Sequence, residues 1–156
     1  MGAFLPMGRA KTAAVLAVMA SCTAVLVAWD SPRMRIELIL ERPSIERAAL
    51  EYLEAEMSGD HAKVYSMLAP SSAYVRSHTY GQYLEEASGS TVKVRGYRIV
   101  DIYRLRPNHD PNSFPGVERF VQVEVEVDVG FDDMETTTTC NYCFTFLKEK
   151  GRWYKG

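Results

Sequence analysis

The sequence predicts an α+β domain in which N-terminal helices pack on a curved antiparallel sheet, preceded by one transmembrane helix. Three observations support this prediction. Apolar residues recur at helical spacing between residues 44 and 57, apolar and polar residues alternate between residues 121 and 131, and no charged residue lies between residues 12 and 29. Helices followed by several consecutive long strands are typical of an α+β fold.

The composition is that of an ordinary globular protein with room for one domain. The chain has 156 residues, of which 47% are hydrophobic and 24% charged, and its net charge is −2. Residues 1–42 carry a net charge of +2 and residues 43–156 a net charge of −4. Because the domain is mildly acidic, a nucleic-acid-binding surface is not expected.

The apolar run of residues 12–29 is expected to be a single-pass signal anchor in the inner (cytoplasmic) membrane. As a helix it would be about 27 Å long, enough to cross the hydrocarbon layer. Basic residues precede it, and Trp29 lies at its far end, where interfacial aromatic residues occur. The predicted organisation is a short cytoplasmic N-terminus (1–11), the anchor (12–29), a linker (30–42) and an α+β domain in the periplasm or outside the cell (43–156).

A lipoprotein signal is the alternative interpretation of this segment. Met19-Ala20-Ser21-Cys22 has a small residue directly before a cysteine, so Cys22 is a candidate for lipidation. However, the sequence stays apolar from Thr23 to Trp29, whereas a polar linker usually follows a lipidated cysteine. We expect the uncleaved anchor because it accounts for the whole run.

Three helices are predicted in the first half of the domain, each with a capping residue before it. Polar side chains that accept hydrogen bonds from free amides are expected at the starts, and glycine or proline at the ends. The predicted boundaries are Ser44 and Gly59, Asp60 and Pro70, and Ser77 or Thr79 and Gly89.

Four strands are predicted in the second half. The alternation from Val121 to Phe131 indicates a sheet with one dry and one wet face. Gly96, inside the first strand, predicts a bulge or bend. The segment 107–116 contains three prolines and is expected to be a loop. Asp132-Asp133 is expected to turn the chain into the third strand.

Two parts of the sequence resemble the nuclear transport factor two-like superfamily, which includes ketosteroid isomerases and polyketide cyclases. These are the helix ending in Ser58-Gly59-Asp60 with the following Tyr65-x-x-Leu68 helix, and the closing strands with Gly151-Arg152-Trp153. The likeness covers residues 44–156 and implies a cone-shaped, cystatin-like roll. It does not imply one function, because this scaffold carries enzymes, binding modules and accessory domains.

Cys140 and Cys143 form a CxxC motif inside a predicted strand. Side chains three positions apart in a strand point to opposite faces, so a disulfide between them would need a bulge or turn. We expect structural cysteines, with the disulfide as an alternative in an oxidising compartment. No second CxxC or suitably spaced histidine accompanies them, so neither a metal site nor a cofactor is expected.

The related isomerases use a carboxylate and a tyrosine inside the cone for catalysis, and this resemblance makes Asp101 and Tyr97 the catalytic candidates. Asp128 is disfavoured because it lies on the wet face of its strand. His109-Asp110 has the composition of a base and its orienting group, but within a proline-rich loop we expect ordinary turn chemistry.

The sequence therefore predicts a membrane-anchored, non-enzymatic binding or assembly domain of a cell-envelope complex. Its cone would hold a small apolar ligand, or its open sheet face would pair with a protein partner or with a second copy to form a homodimer. An enzyme of the isomerase or cyclase type is the alternative from a different functional class.

Overall fold

The computed structural model describes residues 18–23, 30–131 and 137–156. In these ranges the protein is α+β: besides the helical residues 18–23, four helices precede an open antiparallel sheet with the strand order β1-β2-β3-β4. The elements are α1 (Asp30–Ser58), α2 (His61–Ser66), α3 (Ala73–Ser77), α4 (Tyr80–Ser88), β1 (Val92–Pro107), β2 (Val117–Phe131), β3 (Thr137–Glu149) and β4 (Arg152–Lys155).

Helix α1 passes through Pro43 and Ser44, so the predicted helix start at Ser44 is wrong and the predicted linker is helical. Instead of capping a helix, the Ser44 hydroxyl donates to the Glu41 carbonyl at 2.7 Å. Leu38 and Ile45 are two helical turns apart and pack in the same core. The apolar face of the helix therefore continues across the proline, and its burial offsets the lost amide hydrogen bond.

Side-chain caps confirm two of the predicted helix starts. Asp60 accepts a hydrogen bond from the Lys63 amide at 3.0 Å at the start of α2, and Thr79 forms a capping box with Gln82 at the start of α4. Gly59 follows α1 with a φ of +68°, the left-handed conformation that glycine adopts at helix ends. Helix α3 was not predicted because its five residues are too few to show a period.

The strands of the sheet pair over different lengths. Strands β1, β2 and β3 pair over most of their residues, whereas β4 pairs with β3 from Phe146 to Glu149. The first of three register shifts in β1 lies at Gly96, as predicted, and such bulges bend a strand and increase its twist.

The main core lies between α1 and the dry face of the sheet. It includes Ile45, Ala49 and Leu53 from the helix and Val121, Val123, Val125, Val127 and Phe146 from the strands. A smaller cluster covers the opposite face at one end, where Phe114 of the proline-rich loop meets Phe120 edge-on at 5.2 Å between ring centroids. The loop is thus anchored by its one aromatic residue.

Residues 38–156 form a compact unit that holds the whole sheet. The predicted anchor falls mostly on residues outside the described ranges, as does the predicted turn at Asp132-Asp133. Among the described residues, no helix is both long enough and apolar enough to cross a membrane.

Candidate functional site

A cleft of about 650 Å³ lies beside the C-terminal end of α1. Helix α1 ends at this point, while α4 and the first residues of β1 supply the other walls. Its lining combines apolar and polar side chains and includes Glu56, Met57, His61, Tyr83, Ala87 and Val92. This mixture is typical of a site that holds an apolar body and fixes its orientation by a few polar contacts.

Glu56 connects this cleft to the main core. It follows Tyr52 by one helical turn, and the Tyr52 hydroxyl donates to Glu56 Oε1 at 2.6 Å. The Tyr52 ring is buried and lies edge-on to Phe144 and Phe146. The carboxylate is thereby held in one orientation by a neighbour that packing fixes in place.

Lys155, at the end of β4, brings a positive charge to the same region. Both of its backbone polar groups bond to the segment that follows α2, since its amide donates to the Met67 carbonyl at 2.9 Å and its carbonyl accepts from the Ala69 amide at 2.7 Å. Its Nζ atom lies 5.3 Å from the centre of the Phe144 ring and 6.0 Å from that of Tyr52. An ammonium over aromatic faces is stabilised by the ring quadrupoles.

The ionisation of this cluster is set mainly by burial. Burial lowers the pKa of the Lys155 amine, and the nearby Glu56 carboxylate partly counters that effect. Burial, followed by the negative charge of Glu56, raises the pKa of Tyr52 well above its usual range and the pKa of Tyr83 to about 12. At neutral pH both phenols are therefore protonated, and Tyr52 serves Glu56 as a hydrogen-bond donor.

Tyr83 belongs to a cluster of four tyrosines that joins the three short helices. Its ring centre lies 5.4 Å from that of Tyr65, 6.3 Å from Tyr80 and 6.4 Å from Tyr74. Tyr65 also donates its hydroxyl to the His78 carbonyl at 2.8 Å, so the rings are held by polar contacts as well as by packing. Tyr83, which lines the cleft, is therefore held in place by three aromatic neighbours.

The two catalytic candidates from the sequence do not share a face of the sheet. Tyr97 lies opposite Val127 in β2 and packs against the main core, whereas Asp101 lies opposite Glu124. The Asp101 carboxylate is about half exposed, and its Oδ1 lies 3.5 Å from Arg42. Neither residue lines the cleft.

Both cysteines of the CxxC motif are free thiols on opposite faces of β3, and no disulfide joins them. Cys140 pairs with Val127, on the dry face, and Cys143 with Glu124, on the wet face. The Cys143 Sγ atom lies 3.3 Å from the Tyr103 hydroxyl. Cys22 is exposed.

The polar residues that the sequence analysis disfavoured have local structural partners. Asp128 accepts from the Thr139 hydroxyl at 2.6 Å. Asp110 accepts from the Ser113 amide at 3.1 Å, and hydrogen bonding from the Ser113 side chain, followed by that of the amide, lowers the pKa of Asp110. His109 is exposed beside it in the loop.

Sequence reasoning missed both charged residues of the Tyr52–Glu56–Lys155 cluster. The spacing of Tyr52 and Glu56 was a usable signal, because residues four apart lie on the same side of a helix. Lys155 gave no such signal, since its place beside Tyr52 depends on where β4 ends relative to α1. Only the tertiary fold brings these residues together.

The described residues contain no group of three or more His, Cys, Asp or Glu side chains placed to hold a metal ion. Comparison of the chain with protein-family models and with curated proteins finds no match to either.

Proposed function

We propose that residues 38–156 form a nuclear transport factor two-like, non-enzymatic binding domain that the segment 12–29 holds at the cell envelope. In this proposal the cleft beside Glu56 binds one small, largely apolar molecule with a polar group. The observation that carries the proposal is the cleft itself, because its volume of about 650 Å³ lies within the range usual for small-molecule sites.

The lining residues support a ligand of this kind. Met57, Val92 and Ala87 offer apolar contacts, and the side chains of Met57 and Val92 are about half exposed. A bound apolar group would remove their surfaces from water, which is favourable in proportion to the area covered. Glu56 and His61, on the α1 and α2 side, offer the polar contacts that would orient it.

The hydrogen bond between Tyr52 and Glu56 favours binding over catalysis. The Glu56 carboxylate accepts a short hydrogen bond from Tyr52, whose pKa burial holds far above neutral. A general acid works best when its pKa lies near the working pH. Tyr52 is therefore poorly suited to pass a proton to a substrate at neutral pH, and its hydroxyl instead holds the Glu56 carboxylate in one orientation.

Titration with the uncharged fluorescent probe N-phenyl-1-naphthylamine tests the proposal. We expect saturable binding of one probe per chain to the wild type. Ala87→Trp should fill the cleft from α4 and weaken this binding by about tenfold or more, since the probe would lose its place. Ala62→Trp is the matched control, because Ala62 is exposed on α2 and does not line the cleft.

Equal binding to both tryptophan variants would contradict the proposal, as would the absence of saturable binding to the wild type. Native mass spectrometry of the chain isolated from its own membrane adds a direct readout. A co-purifying small molecule that is retained by Ala62→Trp and lost from Ala87→Trp would identify the natural ligand.

An isomerase or cyclase activity is the second candidate, and one observation favours it. A carboxylate with two tyrosines near it, Tyr52 and Tyr83, lies at an open cleft, and such a carboxylate can remove a proton next to a carbonyl group. Deuterium uptake from heavy water into cyclic ketones, followed by proton NMR, tests this. Catalysed exchange that Glu56→Gln abolishes would support an enzyme, and exchange no faster than in buffer would reject it.

A further inference from the structure

One edge of the sheet is open over most of a strand. Strand β4 pairs with β3 only from Phe146 to Glu149, and the Gly156 amide donates to the Thr145 carbonyl at 2.8 Å just beyond. From Thr138 to Phe144, the described part of the chain offers β3 no hydrogen-bonding strand on that side. The outer side of β4 is closed by a bridge between Leu68 and Lys155.

The direction of the unpaired backbone groups follows from the contact at Thr145. Its carbonyl points outward, because it accepts from Gly156 on the side away from β2. Backbone groups alternate between the two sides of an antiparallel strand with a period of two residues. The amides and carbonyls of Thr139, Asn141 and Cys143 therefore point outward as well, while those of the residues between them bond to β2.

The two edges of the sheet differ in their protection against pairing. Natural sheets guard an edge with charged side chains and bulges. Strand β1 has three register shifts and six charged residues: Lys93, Arg95, Arg98, Asp101, Arg104 and Arg106. Residues 137–147 contain no charged residue, no proline and no glycine, and β3 shows no register shift there. Over residues 137–147 the open edge of β3 thus lacks the charges and bulges that protect β1.

We propose that a second copy of this chain pairs antiparallel with β3 along this edge, with the two-fold axis passing at Asn141. Asn141 then faces Asn141 of the second copy, and Thr139 faces Cys143 of the second copy. Self-pairing of this kind places identical residues near one another, so it requires a strand without like charges. The segment from Thr138 to Phe144 meets that requirement.

The dry face supplies a second reason for self-pairing. Tyr142 is 45% exposed and stacks on Phe144 with 5.9 Å between ring centroids. In the proposed register Tyr142 faces Cys140 of the second copy, so the ring is covered by an apolar neighbour on the same face. Because the dimer has two-fold symmetry, the contact between Tyr142 and Cys140 occurs twice, once for the tyrosine of each copy.

This inference goes beyond the proposed function, because the edge shares no residue with the cleft. It also differs from dimerisation through the open sheet face, which the sequence analysis expected. That face carries polar groups with partners in the same copy, such as Arg98 Nε, which donates to Glu126 at 2.9 Å. The unpaired backbone of β3 has no such internal partner among the described residues.

Sedimentation velocity of the full chain in a non-ionic detergent tests the proposal, since detergent suppresses association through the apolar segment 12–29. We expect a concentration-dependent dimer for the wild type. Asn141→Lys places two positive charges opposite each other, and Asn141→Pro removes one outward amide from each copy. Each variant should raise the dimer dissociation constant about tenfold or more.

Matched variants separate this contact from general effects. Asn112→Lys makes the same change in an exposed loop and should leave the dimer unchanged. Asn141→Lys should remain folded in near-ultraviolet circular dichroism, because the side chain at this position is exposed and the residue opposite it in β2 is Glu126, whose charge is opposite to that of lysine. A monomeric wild type, or a dimer that Asn141→Lys leaves as stable as Asn112→Lys does, would overturn the proposal.

Discussion

Leu53 shows how much of the stability depends on a single position of α1. Its side chain is 2% exposed in the main core, whereas Leu40 on the same helix is 75% exposed. Leu53→Ala should lower the free energy of unfolding by about 3 kcal/mol, since it removes buried methyl groups and leaves a cavity. Urea unfolding followed by circular dichroism measures this loss.

Leu40→Ala is the control for that prediction, because the same atoms are removed from an exposed site. Its effect should stay within about 0.5 kcal/mol. Similar losses for the two variants would mean that the buried face of α1 has been assigned incorrectly. Leu53→Asp should unfold the domain altogether, because it would bury a charge without a partner.

Lys155 gives a prediction about pH. Burial holds the pKa of its amine below the usual 10.5, with Glu56 acting in the opposite direction. At pH values between the pKa of Lys155 in the folded chain and 10.5, the unfolded chain binds more protons than the folded chain. The Lys155 amine therefore makes the free energy of unfolding rise with pH in this range. Lys155→Met should remove that rise.

Urea unfolding of the wild type and Lys155→Met at several values between roughly pH 8 and pH 10 measures the difference in slope. Tyr83, whose pKa is raised to about 12, titrates in both proteins, and its opposite effect cancels in the comparison. Parallel curves for the two proteins would show that the amine of Lys155 is solvated like that of an ordinary surface lysine.

At the scale of elements, Glu41 ties α1 to the last two strands. Lys148 Nζ in β3 donates to Glu41 Oε1 at 2.6 Å, and Trp153 Nε1 in β4 donates to Oε2 at 3.0 Å. Burial alone would raise the pKa of Glu41, but these hydrogen bonds outweigh it and hold the pKa below 4.5. The stabilisation is therefore complete above pH 4.5 and is lost as the pH falls through the folded pKa.

Glu41→Gln should lower the free energy of unfolding by about 1 kcal/mol at neutral pH. It should also make the free energy of unfolding fall less steeply as the pH is lowered. Urea unfolding at neutral and acidic pH measures both effects. Arg42→Gln is the control on the adjacent residue. Arg42 lies 3.5 Å from Asp101, and both side chains are about half exposed, so their pair contributes little. Equal losses for the two variants would show that Glu41 does not tie the helix to the strands.

The element pattern was predictable where one local signal dominates. Asp60 and Thr79 are side-chain caps, and Gly96 marks a bulge. Each of these features depends on the residue itself and its neighbours in the sequence. The start of α1 was not predictable in this way, because Pro43 locally favours a helix start. The apolar face from Leu38 to Ile45 overrides that preference only once the sheet is present to cover it.

At the scale of the whole molecule, alternation and helical period predicted the α+β architecture and the four strands. They could not predict the cleft, because its walls come from α1, α4 and β1, which meet only through tertiary packing. The uncharged segment of β3 was visible in the sequence, but its importance depends on how short β4 is. To predict a site built from several elements, one must know which residues pair across the sheet. The amino-acid composition does not specify that pairing.

Attachment to a membrane through the segment 12–29 is a prediction about the whole chain. The segment 12–29 has no charged residue, and Cys22 lies within it. If this segment is an uncleaved anchor, the full chain expressed in a bacterium should stay in the membrane pellet after alkaline carbonate washing. Cys22→Ser should stay there as well, because burial of the apolar helix in the membrane does not depend on the thiol. A chain without residues 12–29 should appear in the soluble fraction. Release of Cys22→Ser into the wash would instead show that a lipid on Cys22 holds the protein, because removing one thiol from a spanning helix leaves its apolar length unchanged.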